Sequence, residues 1–248
     1  MATMTRLRTL TALAFTAALL AACTVAPERV PPRTVVPSDA TPARALSSPQ
    51  VEATTKSYRI APMESSLRIL VYRGGTMARL GHNHVISSAD LQGQIWRGAT
   101  AESSGFEIEV PVNTLIVDDN AARAEEREDF PLNVSEDAKA GTKANMLRPT
   151  LLDGEHFPKI SIRATRITGS TTSPDVVASM RIKDQTREIR LPVTLTETDS
   201  ALAIQGSFEI RQSDFGITPL SIAMGALTVQ DTVKIKFRLV AKAAATSP

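Results

Sequence analysis

The residues most able to do chemistry in this chain are its three histidines, His82, His84 and His156. His82 and His84 are two positions apart. On a β-strand such side chains point to one face, which is how a His-x-His pair chelates a metal ion. His156 would supply a third nitrogen, with Asp153 and Glu155 close to it in sequence. Three protein ligands with an open position are typical of a catalytic zinc or copper site. The pattern therefore allows a metal-binding protein or a metal-dependent enzyme.

The residues around this pair also allow a role without a metal. Gly81 and Asn83 favour a turn rather than a strand, and no third ligand has a spacing that is diagnostic of a metal site. Histidines at the mouth of a cavity can hydrogen-bond to the headgroup of a ligand or to the backbone. Headgroup contact, a structural role and metal binding are all compatible with His82 and His84. We expect no resident metal and no other cofactor.

No other motif in the sequence indicates catalysis. Residues 214–216 spell the Asp-Phe-Gly of protein kinases, but the glycine-rich loop and the His-Arg-Asp segment of those enzymes are missing from the sequence. The sequence also has no Gly-x-Ser-x-Gly nucleophile elbow. We therefore predict that the protein is not an enzyme.

The N-terminus resembles a bacterial lipoprotein signal peptide. Arg6 and Arg8 precede an apolar run, residues 10–20, that is too short to span a bilayer comfortably. Small residues then lead to Cys23, the only cysteine of the chain. We expect residues 1–22 to be removed and Cys23 to be acylated, which would anchor the protein to a membrane of the cell envelope, facing the periplasm. Thr24 rather than Asp follows Cys23, which favours the outer membrane. A plain secretory signal with an incidental cysteine is the alternative.

Composition divides the rest of the chain into a tether and a folded domain. Residues 23–56 mix prolines with Ser, Thr and Ala, which favours an extended linker without a core. We predict a folded domain over residues 57–243 and a tail over residues 244–248. The 28 Lys and Arg and 26 Asp and Glu residues are nearly balanced, and no basic stripe with aromatic residues is found. Nucleic acid is therefore not an expected partner.

The folded domain has the period-two pattern of β-strands. Residues 106–112, 188–197, 202–210 and 232–239 each alternate apolar and polar side chains, so each strand has one dry face. Two short segments, residues 120–127 and 135–147, have helix formers without a broad apolar face. We expect these helices to be crossovers on the outside, with Asn120 and Ser135 as caps. The pattern predicts an all-β, closed or nearly closed antiparallel barrel, and a sandwich is the alternative.

Four segments in order along the chain are similar to elements of the YceI-like family. They are residues 146–160, residues 180–195, residues 208–217 with Arg211 followed by Asp214-Phe215-Gly216, and residues 231–239. The resemblance covers nearly all of residues 58–243. It implies an extended lipocalin-like antiparallel barrel of about eight strands with one or two short crossover helices. It also implies a periplasmic protein without catalytic residues, whose interior holds a polyisoprenoid or fatty-acyl chain.

The inward-facing positions of the predicted strands give the candidate ligand site. We expect the cavity to be lined by Phe106, Ile108, Val110, Ile160, Ile162, Ile189, Leu191, Val193, Phe208, Ile210, Phe215, Ile235 and Phe237. His82, His84, Arg211 and Asp214 are the candidates for a polar rim that holds a headgroup. The predicted partners are an apolar-tailed small molecule and, through acylated Cys23, a membrane. An ordinary solid core is one competing interpretation of these positions. A factor for assembly or envelope stress, in which the barrel is only a scaffold, is another. The sequence makes no prediction of the oligomeric state.

Overall fold

A computed structural model describes residues 55–244 of the chain. Outside the described residues lie the predicted signal peptide, the predicted acylation site Cys23, residues 24–54 of the predicted tether and residues 245–248. The first strand begins at Lys56 and the last ends at Ala243.

Within residues 55–244 the chain forms twelve strands, two α-helices and several short 3₁₀ turns. The strands are β1 Lys56–Ile60, β2 Ser66–Gly74, β3 His84–Ser88, β4 Gln92–Arg97, β5 Gly105–Pro111, β6 Ile116–Val117, β7 Lys159–Gly169, β8 Pro174–Ile182, β9 Gln185–Glu197, β10 Ala201–Arg211, β11 Ser221–Ile222 and β12 Leu227–Ala243. The helices, both between β6 and β7, are α1 Asn120–Glu126 and α2 Glu136–Met146.

Eight antiparallel strands close into a barrel, in the order β1-β4-β5-β7-β8-β9-β10-β12. The ring closes because β1 pairs with β4 on one side and with the end of β12 on the other, at Tyr58↔Ala243. The remainder of the long strand β12 pairs with β2, and β3 and β6 follow β2, so this side extends beyond the ring. The predicted all-β, extended lipocalin-like barrel is confirmed, and the sandwich alternative is wrong.

Alternation along the strands places the core inside the barrel as predicted. In β12 the side chains of Val233, Ile235 and Leu239 are buried. In β9, Leu191 and Leu195 are buried while Thr194 between them is exposed. Because successive side chains of a strand point to opposite faces, one dry face per strand is enough to fill a barrel.

The apolar segment over residues 85–95 forms two strands. Residues 89–91 interrupt it, and β3 and β4 then pair with different partners, β2 and β1. The Pro62–Glu64 turn separates β1 from β2 in the same way. The break in one pair of strands is matched by a break in the neighbouring pair.

Both predicted helices form, but their caps and positions differ in part from the expectation. The cap of α1 is Asp119 rather than Asn120, since its carboxylate accepts a hydrogen bond from the Ala122 amide at 2.9 Å. Helix α1 lies on the outer face of β2 and β3, where Ala122 joins Leu70 and Val85 in a small buried cluster. Ser135 caps α2 as predicted.

Helix α2 is not simply an outer crossover. It lies against β6, and residues of its last turns line the interior cavity. Strand β5 ends at Pro111, and its ladder with β7 ends one residue later, where the Val112 amide donates to the Pro158 carbonyl at 2.8 Å. Strand β6 then pairs with β3 alone, and α2 lies at the end of the barrel that this divergence leaves open.

No helix among residues 55–244 combines the length and apolar character needed to cross a bilayer.

Candidate functional site

Two connected chambers occupy the interior of the barrel. The first, which we call the apolar chamber, has a volume of about 90 Å³ and is lined only by apolar side chains. The second, the mixed chamber, has a volume of about 190 Å³ and lies at the α2 end. The two chambers share Ile69, Ile160, Met180 and Ile235, which form a ring between them. The interior of the barrel is therefore an elongated space in two adjoining parts.

Most of the predicted cavity residues line these chambers. The apolar chamber is lined by Phe106, Ile108, Val110, Ile160, Ile162, Leu191, Val193, Phe208, Ile235 and Phe237 of the predicted set. Ile210 lines the mixed chamber, which Ile160 and Ile235 also reach.

Ile189 and Phe215 line neither chamber. The pairing of β10 with β9 ends at Gly206↔Val193, so beyond this point the two strands diverge. The 3₁₀ turn Gln212–Phe215 lies against β9 in this region. Phe215 is buried there at 1% exposure as part of the main core, against which Ile189 also packs. Phe215 thus belongs to the packed core of the barrel and does not line the cavity.

The sequence pattern did not reveal the residues that make the mixed chamber polar. Its polar lining consists of His84, Thr142, Asn145 and Gln212, and the Met146 side chain also faces it. Three of these residues belong to α2, which has no continuous apolar stripe that would have marked an inward face. Of these residues, only His84 is among the predicted headgroup residues.

A buried network behind the mixed chamber orients His84. Its Nδ1 lies 2.6 Å from Oδ2 of Asp118, while Oδ1 of Asp118 accepts from the Val85 amide at 2.9 Å. Arg123 of α1 also donates to Oδ1 of Asp118, and to the Asn83 carbonyl at 2.8 Å. Asp118 and Arg123 are both fully buried. Because Nδ1 is engaged with a carboxylate, Nε2 is the nitrogen of His84 that is left for a bound molecule.

The charge of Asp118 is held by its hydrogen-bond partners. Burial alone would raise the pKa of the carboxyl, but the hydrogen bonds from His84 and the Val85 amide, with the charge of Arg123, lower it below its ordinary value. Asp118 is therefore a permanent carboxylate at neutral pH, and it favours the tautomer of His84 that has a proton on Nδ1.

This lowered pKa predicts a loss of stability in acid. The folded state holds a proton on Asp118 less readily than the unfolded state, so the stabilisation is complete above the unfolded pKa of about 3.9 and is lost as the pH falls through the folded pKa. Urea unfolding between about pH 2 and pH 6 measures the decline. Asp118→Asn is expected to flatten this dependence. Equal slopes in variant and wild type would show that Asp118 does not cause it.

The structure does not bring the three histidines into a metal site. Among residues 55–244, no group of three or more His, Cys, Asp or Glu side chains is arranged to hold a metal ion. His82 is exposed, with its ring centroid 6.4 Å from that of His84. His156 is exposed elsewhere and pairs with Asp153 at 2.9 Å.

The other two candidate rim residues pair with each other. Arg211 and Asp214 form an exposed ion pair of 3.0 Å at the Gln212–Phe215 turn, and neither lines a chamber. A short surface pair of this kind contributes about 0–1 kcal/mol and is screened by salt. Of the four predicted rim residues, His84 alone faces the cavity.

Two solved structures are similar to this chain. The crystal structure of Burkholderia cenocepacia BcnA superimposes with a TM-score of 0.55 at 15% identity, over 73% of this chain and 98% of that one. The Campylobacter jejuni YceI protein gives a TM-score of 0.46 at 10% identity, over 63% of this chain and 83% of that one. A sequence search among curated proteins finds no match. The first likeness supports the fold alone.

The family comparison covers most of the chain. The profile of the YceI-like domain matches residues 58–241, nearly the whole span from β1 to β12. The architecture is that of a ligand-binding barrel, and its interior holds the two chambers described above. The chain therefore belongs to the YceI-like family.

Proposed function

We propose that the barrel binds an amphiphile with a long, slender apolar tail, of the polyisoprenoid or fatty-acyl type. The observation that carries this proposal is the junction of a chamber with only apolar lining to a chamber with a polar end. The tail occupies the apolar chamber and passes the ring of Ile69, Ile160, Met180 and Ile235. The polar end of the ligand points toward the polar lining of the mixed chamber.

The energetics of tail burial agree with a ligand of this kind. Each methylene removed from water contributes about 0.8 kcal/mol. A buried tail of about ten methylenes therefore gives about 8 kcal/mol, a micromolar affinity before the costs of association. Those costs are several kcal/mol. Polar contacts must therefore add to the binding, and Nε2 of His84 together with Asn145 and Gln212 are the groups that supply them.

The ring of side chains between the two chambers suits a flexible tail. Met180 is the one unbranched side chain of the ring between the chambers. Methionine has several rotatable bonds and adapts its shape to its neighbours more readily than isoleucine. We expect Met180 to move aside when a tail occupies both chambers.

We further propose that the barrel acts at the outer membrane on its periplasmic side, as a lipid-anchored binding protein. The support is the N-terminal sequence, with its signal-like residues 1–22 and Cys23 directly after them. Residues 24–54 would then hold the barrel clear of the membrane surface. No catalytic step belongs to this proposal, because the cavity offers a headgroup contact at His84 and no nucleophile paired with a base among its lining residues.

The proposal is tested by identifying what the purified protein carries. The full chain is extracted with organic solvent and the extract is analysed by mass spectrometry, with metal content measured on the same sample. We expect an apolar-tailed amphiphile at close to one molecule per chain. Recovery of no lipid, together with a stoichiometric metal that is lost in His82→Ala, would overturn the proposal in favour of metal binding.

A further inference from the structure

A surface pocket adjoins the mixed chamber and differs from it in charge. This pocket, which we call the basic pocket, has a volume of about 480 Å³ and lies between the end of α2, the β8–β9 turn and the segment before β11. It shares Asn145, Leu151 and Leu220 with the mixed chamber. These three side chains therefore lie at the boundary between the mixed chamber and the basic pocket.

The lining of the basic pocket has the chemistry of an anion site. Its charged residues are Arg148 and Lys183, and no Asp or Glu is among the lining residues. Neither cation forms an ion pair within residues 55–244. Thr150, Thr218 and Ser221 add hydroxyl groups. Nζ of Lys183 donates to the Pro149 carbonyl at 3.0 Å, which fixes the ammonium at the wall and leaves two of its three donors free.

The backbone conformation of Lys183 is a second observation that supports a ligand-binding role for this side chain. Lys183 and Asp184 form the two-residue turn between β8 and β9, and Lys183 has a φ of +55°. Positive φ in such turns favours glycine or asparagine, since a longer side chain is disfavoured there. Strained positions of this kind are concentrated at ligand sites. A glycine would relax the turn, and only the lysine side chain supplies the charge to the basic pocket.

We infer that the basic pocket holds the anionic headgroup, a phosphate or a carboxylate, of the amphiphile whose tail lies in the barrel. This inference rests on the proposed function and narrows the ligand to an acidic amphiphile. The headgroup lies between Arg148 and Lys183, and Asn145 spans the passage from the mixed chamber to this site. Charge-assisted hydrogen bonds to both cations would select the anion over a neutral headgroup with the same tail.

The test compares two probes that differ only in the headgroup, dodecyl phosphate and dodecanol. Their affinities for the purified full chain are measured by displacement of N-phenylnaphthylamine at low salt. We expect dodecyl phosphate to bind about tenfold more tightly than dodecanol, a difference of about 1.4 kcal/mol. Arg148→Gln with Lys183→Gly is expected to abolish this preference while the dodecanol affinity stays within about twofold.

Two further variants separate charge selection from folding and from net charge. Lys183→Gly alone is expected to keep or raise the melting temperature, because it relaxes the turn, and still to weaken dodecyl phosphate binding. Arg166→Gln with Arg190→Gln removes two exposed cations that line neither chamber nor the basic pocket. This matched control should leave the preference unchanged. Loss of the preference in the control would overturn the inference.

The outcomes distinguish the inference from the proposed function. If the wild type binds both probes equally, or if the preference survives in the Arg148→Gln, Lys183→Gly variant, the headgroup site is wrong and the barrel proposal stands. If neither probe binds, both are wrong. Inorganic phosphate that binds as tightly as dodecyl phosphate would show a site for free anions and overturn the link to the tail.

Discussion

Asp118→Ala is expected to lower the free energy of unfolding by about 3–5 kcal/mol, the cost of leaving a buried charge without its partner. The variant leaves the guanidinium of Arg123, which is fully buried in the wild type, without its carboxylate partner. It also removes the acceptor of the Val85 amide and the partner of His84. The other hydrogen bonds of Arg123, to the carbonyls of Asn83 and Pro131, cannot neutralise its charge. Guanidinium unfolding of variant and wild type measures the difference.

A double variant and a neighbouring residue provide the controls. Asp118→Ala with Arg123→Met removes both charges. The double variant should therefore lower the free energy of unfolding by clearly less than the sum of the two single variants. Asp119→Ala removes only the cap of α1 and should cost about 1 kcal/mol. If Asp118→Ala lowers the free energy of unfolding by no more than Asp119→Ala, the buried pair of Asp118 and Arg123 does not stabilise the fold.

Leu191→Trp is expected to weaken binding of a long-tailed ligand by about 100-fold while leaving a short-tailed one nearly unaffected. Leu191 lines the apolar chamber and does not reach the mixed chamber. An indole in a chamber of about 90 Å³ would displace the end of a long tail. Loss of about four buried methylenes costs about 3 kcal/mol, which corresponds to about 100-fold in affinity. Titrations with octadecanoate and octanoate measure the two effects.

The same strand offers a matched control for this variant. Thr194→Trp places an indole on the outer face of β9, where Thr194 is exposed, and both affinities should stay as in the wild type. Overpacking at Leu191 is expected to cost about 1–3 kcal/mol of stability, so thermal unfolding must accompany the titrations. A folded Leu191→Trp protein with unchanged octadecanoate affinity would show that the barrel interior is not the binding site.

The strands and most of the cavity residues could be predicted from the sequence because they follow a local rule. In β12, the order Val233, Ile235, Phe237 and Leu239 alternates with polar residues, and this alternation alone assigns the inward face. The same alternation predicts that Phe106 and Phe208 face the cavity, and both line the apolar chamber. Ile189 and Phe215 have the same apolar character but line neither chamber. Their positions could not be predicted, because the divergence of β9 from β10 has no local signal in the sequence.

The polar part of the site was only partly predictable. The residue type of His84 marks it as a headgroup candidate. No sequence pattern marks Asp118 and Arg123, which orient it. Their contact depends on α1, which brings Arg123 next to the end of β3. Arg148 and Lys183 are 35 positions apart in sequence and meet only where the end of α2 approaches the β8–β9 turn.

The sequence by itself determined that strands of period two would bury one face each, and hence that an all-β barrel with an apolar interior would form. Family resemblance and strand pattern agree on this point because both depend on the order of side chains along single strands. Only the tertiary structure decided where that interior becomes polar. Helix α2, without an apolar stripe of its own, covers the barrel end where β5 and β7 separate. Contacts between distant segments create the mixed chamber and the basic pocket, and such contacts leave no periodic trace in the sequence.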